Sequence, residues 1–310
     1  MSLWIHGHNP KFLIIKDMIS FLRWSFVDFE QSAPGRSSGS TLVRVANWLK
    51  DTALFEQAWT IVCDGPLRWW WSEQLCLFTV GFWTVFLLTT GAYTHRCQPI
   101  TFTLTVVISG REHGVRHVWA YMLFGQLVAI SVASNLFFLA LPRKAEMKPC
   151  ASARKTVPPV LWLSVLASLL TVFLVPHSLR HNYFLSNLLI MHALLVIPLL
   201  RPVTSGRIGR LHIRTRTLYQ LITLLAVIAR LRTALSTNGL QMLSGRSTLW
   251  AVLTSHPAQA SIGWDVVWTT ISFLWWIAPS TVTGQLTVFS ATALLSIGSS
   301  APFAMCYINN

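Results

Sequence analysis

Two carboxylates sit inside apolar stretches of this chain, and both have tryptophans at helical spacing. In "CDGPLRWWWSEQLCLF" Glu73 follows Pro66 by seven residues, and in "TSHPAQASIGWDVVW" Asp265 follows Pro257 by eight. Proline suits the first turn of a helix and Asp, Ser or Thr suits the position before it. Asp64, and Thr254 or Ser255, therefore mark where two helices begin. Each acid would lie roughly 10–12 Å along its helix. Trp69 and Trp70 precede Glu73 by four and three residues, and Trp268 follows Asp265 by three, so these rings come alongside the carboxylates. An acid at depth in a bilayer costs roughly 2.5–3.5 kcal/mol on insertion scales, so it needs a partner or a job. Apolar burial disfavours the ionised form of a carboxyl group, and a protonated acid beside indole faces is a Brønsted acid next to groups that attract cations. The plainer reading is an ion pair with Arg68, Arg230 or Arg232, or a hydrogen bond across helices. Glu112, in "SGREHGVRH", is a third candidate, although an acid flanked as here by Arg111 and Arg116 is more often a solvated loop ion pair.

The elements that must carry these groups are membrane helices. The 310 residues are 53% hydrophobic and 11% charged, with mean hydropathy +0.52, where a soluble domain carries about 25% charged residues. Apolar runs at about 66–92, 99–109, 117–141, 158–176, 183–200, 215–235, 257–279 and 285–306 predict an all-α polytopic transmembrane bundle. The run at 99–109 is short for a crossing, so the expectation is seven spans, or eight if it crosses. Ahead of the bundle (66–310), residues 1–41 read as an amphipathic segment and flexible linker, and 42–65 as a pre-membrane segment. The net charge of +14 lies in loops, where it sets topology and gives no reason to expect nucleic acid. The basic loops at 142–157 and 201–216 are separated by two spans, and the positive-inside rule puts both on the cytoplasmic side.

Several chemistries lack their residues. No DDxxD or NDxxD is present to hold magnesium diphosphate, no GxSxG or P-loop appears, and the last lysine is Lys155, which excludes a retinal Schiff base in a late span. Five scattered cysteines without a CxxC predict neither a disulfide framework nor a zinc site. His113/His117 and His177/His181 have the HxxxH spacing with which membrane oxygenases collect iron, helped by His192 or His95. The HxxHH boxes of those enzymes are missing, and the expectation is no metal. Fifteen tryptophans suit interfacial belts, but Trp264, Trp268, Trp275 and Trp276 recur down one span, which a belt does not explain.

The stretches "WWWSEQLCLFTVGFW", "FGQLVAISVASNLFFLAL" and "HPAQASIGWDVVWTTISFLWW" resemble the fungal integral-membrane terpene cyclases that make indole diterpenes and meroterpenoids. The resemblance implies a metal-independent, cofactor-free cyclase of the endoplasmic reticulum that protonates an epoxide or alkene of a lipophilic prenylated substrate. Asp265 would be the acid, with Glu73 or Glu112 supporting it or accepting the terminal proton. Trp69, Trp70, Trp264, Trp268 and Trp275 would face the substrate and stabilise its cations, at ~0.5–2 kcal/mol each. An epoxidase or prenyltransferase would act upstream. The long N-terminal segment departs from the shorter members of that family. A small membrane carrier or lipid-binding protein, with Asp265 as a substrate or proton site, is the alternative; a His-box oxygenase is the second.

Overall fold

The computed structural model describes residues 10–32, 39–51, 54–94, 115, 117–141, 156–200, 211–236, 246–278 and 282–308. The 99–109 run, Glu112, His95, His113 and most of the two basic loops lie outside the described residues. Among the described residues the regular structure is helical, apart from β1 (Thr156–Val157) paired antiparallel with β2 (Ile213–Arg214), Thr156 opposite Arg214. The chain divides into two compact units, Met1–Ser72 with Ser236–Trp264, and Glu73–Leu235 with Asp265–Asn310.

The first unit holds α1 (Pro10–Ser32), α2 (Thr41–Asp51), α3 (Leu54–Cys63), the start of α4 (Pro66–Leu77), α11 (Arg246–Leu253) and the start of α12 (Pro257–Ile277). On α1, Ser25 and Phe29 are buried while Ile19, Leu22, Trp24 and Val27 are exposed. Ser25 donates to Gln57 Oε1 at 3.2 Å and accepts from Trp48 Nε1 at 3.3 Å, and Arg44 pairs with Glu30, so three helices are tied by polar contacts. Both proline-led helices begin where expected. Gly65 takes a positive φ of 86°, a conformation open to glycine, and α4 follows from Pro66. At α12 the cap differs from expectation. Thr254 and Ser255 turn their hydroxyls back to the carbonyls of Trp250 and Val252, and His256 caps the helix instead, its Nδ1 accepting the Ala258 N–H at 3.1 Å. Thr254 and Ser255 directly follow α11, where back-bonding to its last carbonyls competes with capping forwards.

In the second unit α4 runs through a π-helical segment, Phe78–Trp83, into α5 (Thr84–Thr94). The helices α6 (Val118–Leu127), α7 (Ile130–Ala140), α8 (Pro159–Ser178), α9 (Phe184–Leu200), α10 (Thr215–Ser236), α13 (Val282–Leu295) and α14 (Ile297–Ile308) complete it. Gly81 lets α10 close on the π segment: a Cβ there would lie 2.6 Å from Ile222 Cγ2. The hairpin α8–α9 is pinned by Asn187 Nδ2 donating to the Thr171 carbonyl at 3.0 Å. The β1–β2 ladder joins the end of one basic loop to the end of the other, so these two points meet at one end of α8 and α10.

Among the described residues three helices are long and apolar enough to cross a membrane, Pro66–Thr90, Pro159–Ser178 and Thr215–Ser236; four shorter ones, Val118–Leu127, Ile130–Ala140, Phe184–Leu200 and Val282–Leu295, are apolar. Two runs expected as single spans are interrupted. The run at 117–141 breaks where Ala129 turns extended (φ −165°, ψ 139°), and the run at 285–306 breaks at Ser296, whose φ is +77°. At the second break Gly298 allows close approach, since a Cβ would meet Leu77 Cβ at 2.6 Å and the Gln74 carbonyl oxygen at 3.1 Å.

The cap at α12 requires an unprotonated Nδ1. Burial, and then the Arg68 guanidinium, hold the His256 ring below its ordinary value. A base depressed in the folded state contributes stability above its unfolded value, about 6.5, and loses it as pH falls through the folded one. We expect acidification from about pH 7.5 to about pH 5 to lower the melting temperature of the wild type more than that of His256→Asn, whose amide caps at either pH; the difference corresponds to about 1 kcal/mol. At the second break, Ser296→Gly should raise the melting temperature, since a left-handed residue with a Cβ costs about 1–3 kcal/mol, and Gly298→Ala should lower it by overpacking worth about 1–3 kcal/mol. Thermal unfolding of the detergent-solubilised chain measures both.

Candidate functional site

Asp265 lies on α12 and is 8% exposed. Its Oδ1 accepts the Ser131 N–H at 2.7 Å, and its Oδ2 accepts the Ile130 N–H at 3.2 Å. These N–H groups open α7, whose N-cap position is Ala129, a residue with no side-chain acceptor. Every helix leaves its first N–H groups without internal partners, and in an apolar bundle water does not supply them. Asp265 caps α7 from a helix far away in sequence. The positive end of the α7 dipole and two aligned donors suit a carboxylate.

Glu73 has the partner that the plainer reading named. Arg230 Nη1 donates to its Oε2 at 2.9 Å and Thr233 Oγ1 to its Oε1 at 2.8 Å. Glu73 is 3% exposed and Arg230 8%. With α4 joined to α10 through a desolvated guanidinium and a hydroxyl, both carboxylate oxygens are engaged. Arg232, two residues on, faces elsewhere: its Nη2 meets His177 Nε2 at 2.6 Å and its Nη1 donates to the Phe173 carbonyl.

An aromatic cluster lies where α7 and α12, further along from Asp265, meet the π segment and α5. Phe78, Phe82 and Phe86 recur every four residues, with successive centroids 5.1 and 5.0 Å apart. Phe273 meets Phe82 at 5.1 Å, Trp276 stacks on Phe138 at 5.1 Å and meets Phe86 at 5.0 Å, and Trp83 meets Phe137 edge-on at 5.4 Å. Trp83 Nε1 and Trp276 Nε1 in it, and Thr269 Oγ1 on α12, are buried without a hydrogen-bond partner among the described residues. From Asp265 to Phe273 along α12 is roughly 12 Å, and from Ile130 to Phe137 along α7 roughly 10 Å.

The tryptophans expected to face substrate divide differently. Trp275 is 72% exposed and turns outward. At about 100° per residue it stands about 80° away from Asp265 around α12, whereas Trp276 comes back to within about 20°. Trp276, not Trp275, shares the acid's face. Trp268 is half-buried, and Trp264 meets Trp250 at 5.7 Å in the first unit. In that unit Trp69 is buried and Trp70 meets Trp71 at 5.0 Å. The phenylalanines are absent from the sequence-based expectation, although the four-residue recurrence of Phe78, Phe82 and Phe86 is a visible signal.

The histidines are engaged separately. His181 Nδ1 bonds to the His177 carbonyl at 2.9 Å, His177 Nε2 meets Arg232, and His192 Nδ1 bonds to the Leu188 carbonyl at 2.7 Å. Among the described residues no three His, Cys, Asp or Glu side chains come together as a metal site. Comparison with protein-family models, with curated proteins and with solved structures finds no match.

The Glu73–Arg230 contact makes a stability prediction. Arg230→Ala leaves a buried carboxylate without its cation and should cost about 3–5 kcal/mol, read as a lower melting temperature. Glu73→Gln combined with Arg230→Met removes both charges and should recover most of that loss. A double variant as unstable as Arg230→Ala would exclude charge pairing as the source.

Proposed function

We propose that this chain is a membrane-embedded terpene cyclase that starts a carbocation cascade by protonating a lipophilic prenylated substrate. The reading is supported by one arrangement above others: a buried carboxyl group held on two backbone donors at the start of α7, with aromatic rings further along α7 and α12. A lipid-soluble substrate reaches such a site from the bilayer, and rings that exclude water keep cations from being quenched. In this reading the polytopic bundle makes seven or eight crossings, counting each interrupted run as one. It lies in the endoplasmic reticulum with the basic loops on the cytoplasmic side.

The step follows from the carboxyl geometry. A protonated Asp265 keeps Oδ1 as acceptor for Ser131 and carries its hydrogen on Oδ2, the oxygen with the longer bond. Transfer of that proton to an epoxide oxygen breaks a C–O bond and leaves a hydroxyl and a tertiary cation; transfer to an alkene carbon leaves the cation alone. The electron pair from the O–H bond stays on Oδ2, where the Ile130 N–H is already in place to receive the charge. The alkenes then attack in turn, and loss of a proton ends the cascade, so the product is an isomer of the substrate. Glu73, engaged by Arg230 and Thr233, holds α4 to α10 in this scheme, and the rings of Phe86, Phe138 and Trp276 face the cations.

A second reading is a small carrier. It is favoured by the two interrupted helices, since carriers build substrate sites at such breaks.

Microsomes from yeast expressing the chain, supplied with geranylgeranyl-indoles with and without a terminal epoxide and with prenylated phenolic acids, test the first reading. A product of unchanged mass and shifted retention is expected, insensitive to a chelator. Asp265→Asn should lower its rate by at least about a hundredfold while the protein still elutes as a folded species. An isomer made equally well by Asp265→Asn would remove Asp265 as the donor, and no isomer from any of these substrates with folded protein would favour the carrier.

A further inference from the structure

A cavity of about 130 Å³ lies within the first unit, walled by residues of α1, α3 and α12. Its room comes from two small side chains, Ala58 of α3 and Ala258 of α12. Phe21 and Trp59 supply aromatic faces, Val62 and Ile262 aliphatic ones, and Ser261 carries the only hydroxyl among its lining side chains. Val62 and Ala258 are buried, but Phe21, Ala58, Trp59, Ser261 and Ile262 are part-exposed, so the cavity opens to the surface and a molecule can enter without unfolding its walls. The walls are braced from behind. Phe21 stacks on Trp24 with centroids 5.9 Å apart and meets the His256 ring at 6.3 Å, and the same His256 caps α12 through the N–H of Ala258.

We propose that this cavity is a binding site for a single aromatic ring bearing one hydrogen-bonding group, of phenol size. Volume argues first: an apolar cavity of ~150 Å³ has room for benzene, and this one is slightly smaller. Wall chemistry argues next. Two aromatic faces meet a ring in edge-to-face or offset geometry, and one hydroxyl among apolar neighbours orients one polar substituent. An acyl chain would leave most of its length outside a space of this size. The assignment is independent of the cyclase reading, which concerns Asp265.

Fluorine NMR of the full chain in nanodiscs, titrated with 4-fluorophenol, tests it. Saturable broadening is expected for the wild type. Ala58→Leu fills the cavity and should weaken binding at least tenfold while the melting temperature holds or rises. Ser261→Ala should weaken 4-fluorophenol several-fold and leave fluorobenzene unchanged. Should Ala58→Leu fail to fold, Ile262→Ala provides the opposite test: the enlarged cavity should shift preference from fluorobenzene towards 1-fluoronaphthalene. Binding unchanged in Ala58→Leu, a ring preference unchanged in Ile262→Ala, or no saturable binding to folded wild type would overturn the proposal. So would octanol competing as well as phenol, which would give the cavity to an acyl chain.

Discussion

Asp265 and the first turn of α7 stabilise each other in a setting that tolerates neither alone. A helix that breaks inside an apolar bundle exposes backbone N–H groups with no water to receive them, and a carboxylate in the same place has no solvent to spread its charge. The bonds from Ile130 and Ser131 settle both problems with one contact between segments more than a hundred residues apart. The break at Ala129 is therefore held open by a side chain on another helix. The same contact fixes where α12 sits against α7, and hence where Phe273 and Trp276 meet Phe137 and Phe138 further along.

The second break is solved by other means. Among the described residues no acid caps the start of α14; instead Ser296 takes a left-handed conformation, the Ser299 and Ser300 N–H groups turn to its carbonyl, and Thr292 donates to the Ser300 hydroxyl at 2.8 Å across the break. Small residues make this possible, because Gly298 lets the turn press against the backbone of Gln74 and Phe78. That backbone is where α4 gives way to the π segment, with the Thr84 N–H reaching back to the Thr79 carbonyl. A π segment inserts one residue into the helical count and rotates every later side chain about the axis. In this chain the rotation accompanies Gly81 facing α10 and the ring series beginning at Phe78.

How much of this is legible in the sequence depends on the range of each interaction. Helix starts at Pro66 and Pro257 depend on a few neighbouring residues, and both lie where the sequence puts them. The cap at His256 does not, because a ring nitrogen is an uncommon acceptor there. The embedded acids stand out because charge is rare in apolar runs, and Arg230 is one of three cations that the sequence offers as a partner. The backbone partners of Asp265 are invisible, since N–H groups carry no side-chain signature and Val128–Ala129 holds neither glycine nor proline. Counting tryptophans points to Trp275, while rotating them about the axis points to Trp276: ten residues from Asp265 leave the face and eleven restore it. Unbroken spans over 117–141 and 285–306 rest on composition alone, which is blind to a single residue turning extended or left-handed.

The two buried acids differ in what they can do with a proton. Glu73 faces a guanidinium, so protonating it would leave a buried cation without its counter-charge, and both its oxygens would have to rearrange. Among the described residues Asp265 meets neutral donors, the Ile130 and Ser131 N–H groups and the Ser131 side chain. Protonating it leaves no bare charge, keeps the shorter backbone bond from Ser131, and gives up the longer one from Ile130. Deprotonating it restores a carboxylate whose two donors never moved. A group that changes charge while its surroundings stay fixed meets the requirement for proton transfer in a water-poor site, where reorganisation is the main cost. The cap that holds the fold together is for that reason compatible with chemistry at the same carboxyl group, and the ion pair at Glu73 is not.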